Sequence, residues 1–181
     1  PGTVLYDTLL SAKRNNFLVA LTESSDERVG FAILDLSTGE LSSQVVPVDD
    51  LKAELGRCDP TEILLPRSLD DGGEDTAKGS GLTPFTDALT GRLRTFRDDW
   101  IFDYETAEDE LKRRYRIQSL DAFGFQKDDQ LLVRATGALL AYVAEIRPNG
   151  ISHLRAPEIL RRGSSMLLDE MTRRNLELVE P

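Results

Sequence analysis

The sequence predicts an α/β domain: a mixed five-stranded sheet with flanking helices, followed by a mostly helical partial segment. Three observations carry this. Three short apolar segments lie close together near the start, separated only by turn signals, the pattern of an antiparallel meander. A helix-length stretch then precedes a fourth apolar segment, as a crossover requires. In the second half, two long stretches carry apolar residues at helical spacing.

Val4, Leu5, Leu9 and Leu10 give a short helical opening, and residues 1–12 are expected to be a linker from a preceding domain. Asn16–Leu21 reads as the first strand, and Ser24–Glu27 as a turn. Val29–Leu34 is apolar almost throughout, so it is expected at the centre of the sheet with both faces covered. Asp35–Glu40 is a hairpin loop in which Gly39 can take positive φ. Leu41–Val48 alternates and closes the meander. Asp49 and Asp50 are expected as N-cap and first-turn acid of a helix through Leu51, Leu55 and Cys58, ended by Asp59-Pro60. Glu62–Pro66 is a short buried strand. Ser68–Ser80 is polar and glycine-rich and reads as an exposed loop. Leu82–Leu93 is expected to be helical, and Trp100–Phe102 to be the fifth strand.

Tyr104, Ala107, Leu111 and Tyr115 form one apolar stripe, with Glu108, Asp109, Glu110, Arg113 and Arg114 outside it. Leu120–Phe125 is a tight aromatic turn. Leu132, Ala135, Thr136, Leu139, Leu140 and Val143 form a second stripe on a longer helix stopped by Pro148-Asn149-Gly150. The domain is therefore expected over residues 13–147. The tail, 148–181, has a basic loop (Arg155, Arg161, Arg162), a strand-like run Met166–Leu168 and a helix starting near Met171. It reads as the truncated opening of another domain, and hydrogen exchange is expected to be fast from about Arg161 onward. Meander, crossover strand, then a further strand with helices is the ribonuclease-H-like order.

Composition narrows the function. With 40% apolar and 30% charged residues the chain is a folded globular one, not a disordered one. Apolar stretches such as Leu131–Val133 and Ala138–Val143 are too short to span a bilayer, and no secretory leader is expected. The single cysteine, Cys58, leaves no intrachain disulfide and fits a reducing cytosol, so a cytoplasmic location is expected. Against 32 acids stand 22 bases, 17 of them Arg, for a net charge of −10. Duplex DNA affinity rests on phosphate neutralisation, so such a domain is expected to bind DNA poorly by itself and to suit a protein partner.

A ribonuclease-H-like fold invites a metal-nuclease reading, because such enzymes hold Mg²⁺ with carboxylates. Asp35, Glu62 and Asp103 are the candidates. Turn chemistry accounts for Asp35 more simply, since Asp-Leu-Ser-Thr-Gly is what a hairpin loop uses. His153, the only histidine, is expected to make one hydrogen bond at a domain junction rather than to serve a catalytic triad. Cys58 reads as a small buried hydrophobe. The absence of Gly-x-x-x-x-Gly-Lys-Ser/Thr excludes a Walker nucleotide site from these residues. Lys112–Arg116 follows Glu108-Asp109-Glu110 by one turn, which predicts a self-neutralised, solvated helix face with protein docking as the alternative.

Several strings, in order, carry a resemblance. Pro1-Gly2-Thr3 with Asp7, Leu9 and Leu10, then Arg14–Leu21, opens the series. It continues with Phe31–Glu40 (close to "LDLSTGEF"), Pro60–Pro66 ("P-x-EILLP"), Leu120–Gly124 ("L-x-GFG"), Thr136–Tyr142 ("GALLxY"), His153–Arg155 and Asp169–Leu178 ("RRNLEL"). Together they resemble the connector domain and the start of the core of MutS-type DNA mismatch-repair proteins. The resemblance implies an internal piece of a longer bacterial protein. It implies a connector without catalytic or metal residues or cofactor of its own, which links mismatch recognition to the core and helps to dock MutL. ATP, Mg²⁺, homodimer formation and contact with mismatched DNA would belong to the rest of the protein, a DNA-dependent ATPase. The helix Glu105–Tyr115 looks like part of the family's docking region, which makes Asp109, Glu110, Arg113 and Arg114 the candidate partner-docking residues. Glu170-Met171 in place of a small pair, and the acidic Ser68–Ser80 loop, depart from the family pattern.

Overall fold

The structure is a computed structural model and describes residues 16–23, 26–70, 83–148 and 154–161. Its centre is a six-stranded mixed sheet in the order β5-β4-β1-β2-β3-β6. β1 (Phe17–Glu23), β2 (Arg28–Asp35) and β3 (Leu41–Pro47) form the expected antiparallel meander, paired Val19 to Ile33 and Ala32 to Ser43. Gly39 takes φ 75° in the second hairpin and donates its N–H to the Asp35 carbonyl at 2.8 Å. β2, apolar on both faces, is buried on both and lies inside the sheet, because a strand with no polar face has nowhere else to go.

α1 (Val48–Cys58) returns the chain across one face. It begins two residues earlier than expected, with Pro47 at the N-cap and no side-chain cap, so Asp49 and Asp50 both stand in the first turn, where acids favour the helix dipole. The expected cap at Asp49 is corrected because Pro47 already has the extended backbone a cap needs. β4 (Glu62–Pro66) then runs parallel to β1. Beyond it come α2 (Thr83–Leu89) and β5 (Arg94–Arg97), parallel to β4. The expected loop over Ser68–Ser80 lies mostly outside the described residues.

The fifth strand is therefore not Trp100–Phe102. Those residues form a 3-10 turn, Asp99–Phe102, in which Trp100 is exposed and Phe102 fully buried. The strand is the basic Arg94–Arg97, whose residues are all half-buried. It sits at the sheet edge, where charge is tolerated and no continuous apolar run is needed, so an apolarity signal passes over it.

α4 (Gln130–Ile146) covers the opposite face, and α3 (Tyr104–Tyr115) packs on α4 from outside. All six expected stripe residues of α4 are buried against β1, β2 and β3. Two apolar clusters result. Leu18, Ala20, Ala32 and Leu34 pack toward α4, while Val19, Leu21, Phe31 and Ile33 pack toward α1 and α2, the period-two alternation of strands clad on both faces. The turn Leu120–Phe123 sets Phe123 edge-on to Tyr115, centroids 5.0 Å apart.

The sixth strand, β6 (Glu158–Leu160), comes from the segment that the sequence reading gives to the next domain. It lies past Arg147 and adds in parallel to the outer edge of β3, Ser43 opposite Ile159. His153, Met166–Leu168 and the helix expected at Met171 lie outside the described residues.

Candidate partner-docking surface

α3 lies on α4, not on the sheet, so one side of it is left facing outward. Its four candidate residues do not behave alike. Asp109 is exposed, and the Arg113 side chain keeps 73% of its accessible surface. Glu110 is buried, with only 8% exposure. Its carboxylate accepts from both the Arg113 and the Arg114 guanidinium groups, Arg114 Nε at 2.9 Å. The Arg114 side chain is itself only 14% exposed. Glu110 and Arg114 thus form a largely desolvated pair that fixes the helix, while Asp109 and Arg113 face solvent. The expectation that all four lie outside the buried face is corrected for Glu110. At 3.6 residues per turn, position 110 falls beside Ala107 and Leu111, and the neighbouring arginines satisfy its charge there. Lys112 pairs with Glu108 at 2.9 Å, so the face is largely self-neutralised. The hydrogen bond to Glu108 holds the Lys112 ammonium above its ordinary value.

The end of α3 is tied to the exit segment. Tyr115 Oη donates to the Arg155 carbonyl at 2.7 Å, and burial pushes the Tyr115 phenol up to about 12. Arg155 donates its backbone N–H to the Gly39 carbonyl at 2.8 Å and its guanidinium to Glu40 Oε1 at 2.6 Å. Arg161 forks onto Asp129, with contacts of 2.8 and 2.6 Å, and donates to the Gly124 carbonyl at 2.9 Å. No spacing rule could flag these arginines, because their partners lie 115 and 32 residues away.

The three nuclease-candidate carboxylates do not converge. Asp35 ends β2 opposite Phe17, the first residue of β1, and accepts from the Ser37 N–H at 2.8 Å, as a hairpin Asp does. Glu62 opens β4 beside Leu18. Its Oε1 accepts from Tyr142 Oη at 2.5 Å and from Thr95 Oγ1. Burial first, then this bond, pushes the Tyr142 phenol up to about 12, and Arg97 stacks 4.8 Å above the ring. Asp103 precedes α3 at the other end of the sheet, in a cleft of about 350 Å³ shared with Glu23 at the end of β1 and Pro66 at the end of β4. A seven-residue strand spans about 20 Å, which separates Asp103 from the other two. Among the described residues no group of three His, Cys, Asp or Glu side chains could hold a metal ion. Among them, too, no helix is long and apolar enough to cross a membrane. Cys58, the last residue of α1, is buried, as expected.

A meander with parallel crossover strands on its inner edge and helices on both faces defines a ribonuclease-H-like α/β domain. Residues 16–155 match the family model for MutS domain II, and the chain belongs to the MutS family. It is 37% identical over 182 aligned positions to the DNA mismatch repair protein MutS of Desulfosudis oleivorans, covering 99% of this chain and 19% of that protein. It is 35% identical to MutS of a Synechococcus strain, covering 98% and 18%, and 32% identical to MutS of Salinibacter ruber, covering 99% and 19%. The chain thus spans about a fifth of the length of the curated relatives it matches. Among solved structures, T. thermophilus RuvC in complex with Holliday junction substrate overlaps 73% of this chain and 96% of its own, at TM-score 0.44 and 10% identity.

Proposed function

We propose that this domain is the non-catalytic connector of a MutS-type mismatch-repair protein, joining mismatch reading to the core and ATPase and docking MutL. ATP, Mg²⁺, mismatched DNA and the homodimer contact belong, on this reading, to other domains of the protein. The observation that carries the docking part is the division of α3. Glu110 and Arg114 pair on the buried side of the helix, while the Asp109 and Arg113 side chains stand outside with opposite charges. Exposed charges on a fixed element steer encounter with a partner and add little to the fold's stability. The acid excess of the chain supports a protein partner over duplex DNA. The metal-nuclease alternative is not favoured, since Asp35 and Glu62 already serve a turn and a tyrosine, and Asp103 is remote from both.

The test measures association with MutL for Asp109→Lys and Arg113→Glu, with urea midpoints as folding controls. Each variant should change the association rate; Asp109→Lys should leave the midpoint alone, whereas Arg113→Glu also removes a partner of the buried Glu110 and should lower it. If both associate like the parent, docking lies elsewhere, with the Ser37–Glu40 hairpin next in line. Tight binding of a DNA duplex in about 150 mM salt, where phosphate-driven binding is already weakened, would overturn the protein-docking reading. Mg²⁺-dependent cleavage that disappears in Asp35→Asn would restore the nuclease.

A further inference from the structure

Residues 154–161 are held to the domain in an unusual way. β6 contributes only three residues, paired Ser42 to Glu158, Ser43 to Ile159 and Gln44 to Leu160. Ile159 and Leu160 are half-buried, and Leu154 and Ile159 lie at the margin of the apolar cluster under α4. So short an edge strand has little hold of its own. An arginine clamp stands at each end instead. Arg155 grips the second hairpin through Glu40 and Gly39 while its carbonyl accepts from Tyr115. Arg161 grips Asp129 and Gly124.

We propose that residues 154–161 form a two-point latch, which opens and closes as a unit without unfolding the sheet and couples the chain beyond Arg161 to the start of α4. What would be left after opening is a complete domain. β3 keeps its seven-residue pairing with β2, and the fully buried residues of both clusters come from β1 to β4, the helices and the Asp99–Phe102 turn, none from residues 154–161. The coupling runs through Asp129. Its carboxylate takes the Arg161 fork and the Gln126 N–H at 2.7 Å, while its carbonyl accepts from Val133 in the first turn of α4. Within the same first turn, the Leu131 carbonyl accepts from Thr22 near the end of β1 at 3.0 Å. A force on the chain at Arg161 therefore meets the N-terminus of the helix that carries the core, and two discrete states, latched and released, are what such coupling requires. The latch makes no use of Asp109 or Arg113, so it stands or fails independently of where a partner docks.

Hydrogen exchange on the full chain tests it, with Arg155→Ala, Arg161→Ala and the double variant beside the parent. Each single variant should speed exchange at Glu158–Leu160 about tenfold, what one charge-assisted hydrogen bond is worth, and leave β1 and β4 unchanged. In the parent itself, exchange of the β6 amides should depend on added urea far less than that of β1, because a local opening exposes little surface. This second measurement needs no variant. Equal urea dependence in β6 and β1, or β6 exchange unmoved in the double variant, would overturn the latch.

Discussion

A Cβ on Gly137 of α4 would lie 2.5 Å from both the Cα and the Cβ of Ala107 in α3. The atoms it would meet are largely backbone, so the two helices must part to admit it. In an exposed helix, Gly→Ala gains up to about 1 kcal/mol from propensity alone. Here overpacking costs about 1–3 kcal/mol and should outweigh that gain. Gly137→Ala is expected to lose about 1–2 kcal/mol, read as a lower urea midpoint. Gly56 supplies the control. It lies in α1 with nothing within 4 Å of its Cβ position, so Gly56→Ala should stabilise the domain by up to about 1 kcal/mol.

Glu110 should matter to stability where Asp109 does not. Removing the Glu110 carboxylate strands the mostly buried Arg114 guanidinium without its partner. Glu110→Ala is expected to cost about 1–3 kcal/mol. Asp109→Ala, at an exposed position, should stay within about 0.5 kcal/mol. Urea titration of both variants checks the contrast, and equal losses would mean that the α3 pair is not structural.

Legibility in this sequence followed the length of a signal and the distance to a residue's partner. The meander, the crossover and the α4 stripe were readable because each is set by local periodicity, and burial simply follows that period. β5 was not, since an edge strand of Arg-Thr-Phe-Arg shows no apolar run, while Trp100–Phe102 shows one and uses it in a 3-10 turn. β6 was missed for the same reason, with only Ile159 and Leu160 to mark it. At the candidate surface, position along α3 was legible from residue type, but the burial of Glu110 was not. That depends on Arg113 and Arg114 folding back over it, a contact of side chains that spacing permits without requiring.

Alkaline pH should weaken the domain before acid-labile groups matter. Burial pushes the Cys58 thiol from its ordinary 9.0 up to about 12, and the Tyr115 and Tyr142 phenols from 10.0 up to about 12. Below their ordinary values these groups are neutral in both states and cost nothing. As pH rises past 9.0 the unfolded chain releases protons that the folded one retains, so stability falls from there toward about 12. Urea midpoints should hold steady to about pH 8 and decline above it, with Cys58→Ser delaying the onset. At neutral pH the same burial should make thiol labelling wait for global unfolding.

Acid should loosen the Asp129 contact. Burial alone would raise the Asp129 carboxyl, but the Arg161 guanidinium and the Gln126 N–H outweigh it and hold the group below its ordinary 3.8. The sign follows from linkage. A lowered folded value gives stability that is fully present above 3.8 and is lost as pH falls through the folded value. Protonation removes the charge that Arg161 forks onto and so weakens the Arg161 end of the exit segment, while its bond to the Gly124 carbonyl stays in place. Limited proteolysis near Arg161 should therefore be slow at neutral pH and accelerate as pH drops below 3.8, assayed with an acid-active protease. In Asp129→Asn the cut should already be fast at neutral pH and its rate should lose this acid dependence. An identical acid profile in parent and Asp129→Asn would assign the loosening to other carboxylates and remove Asp129 as the titrating contact.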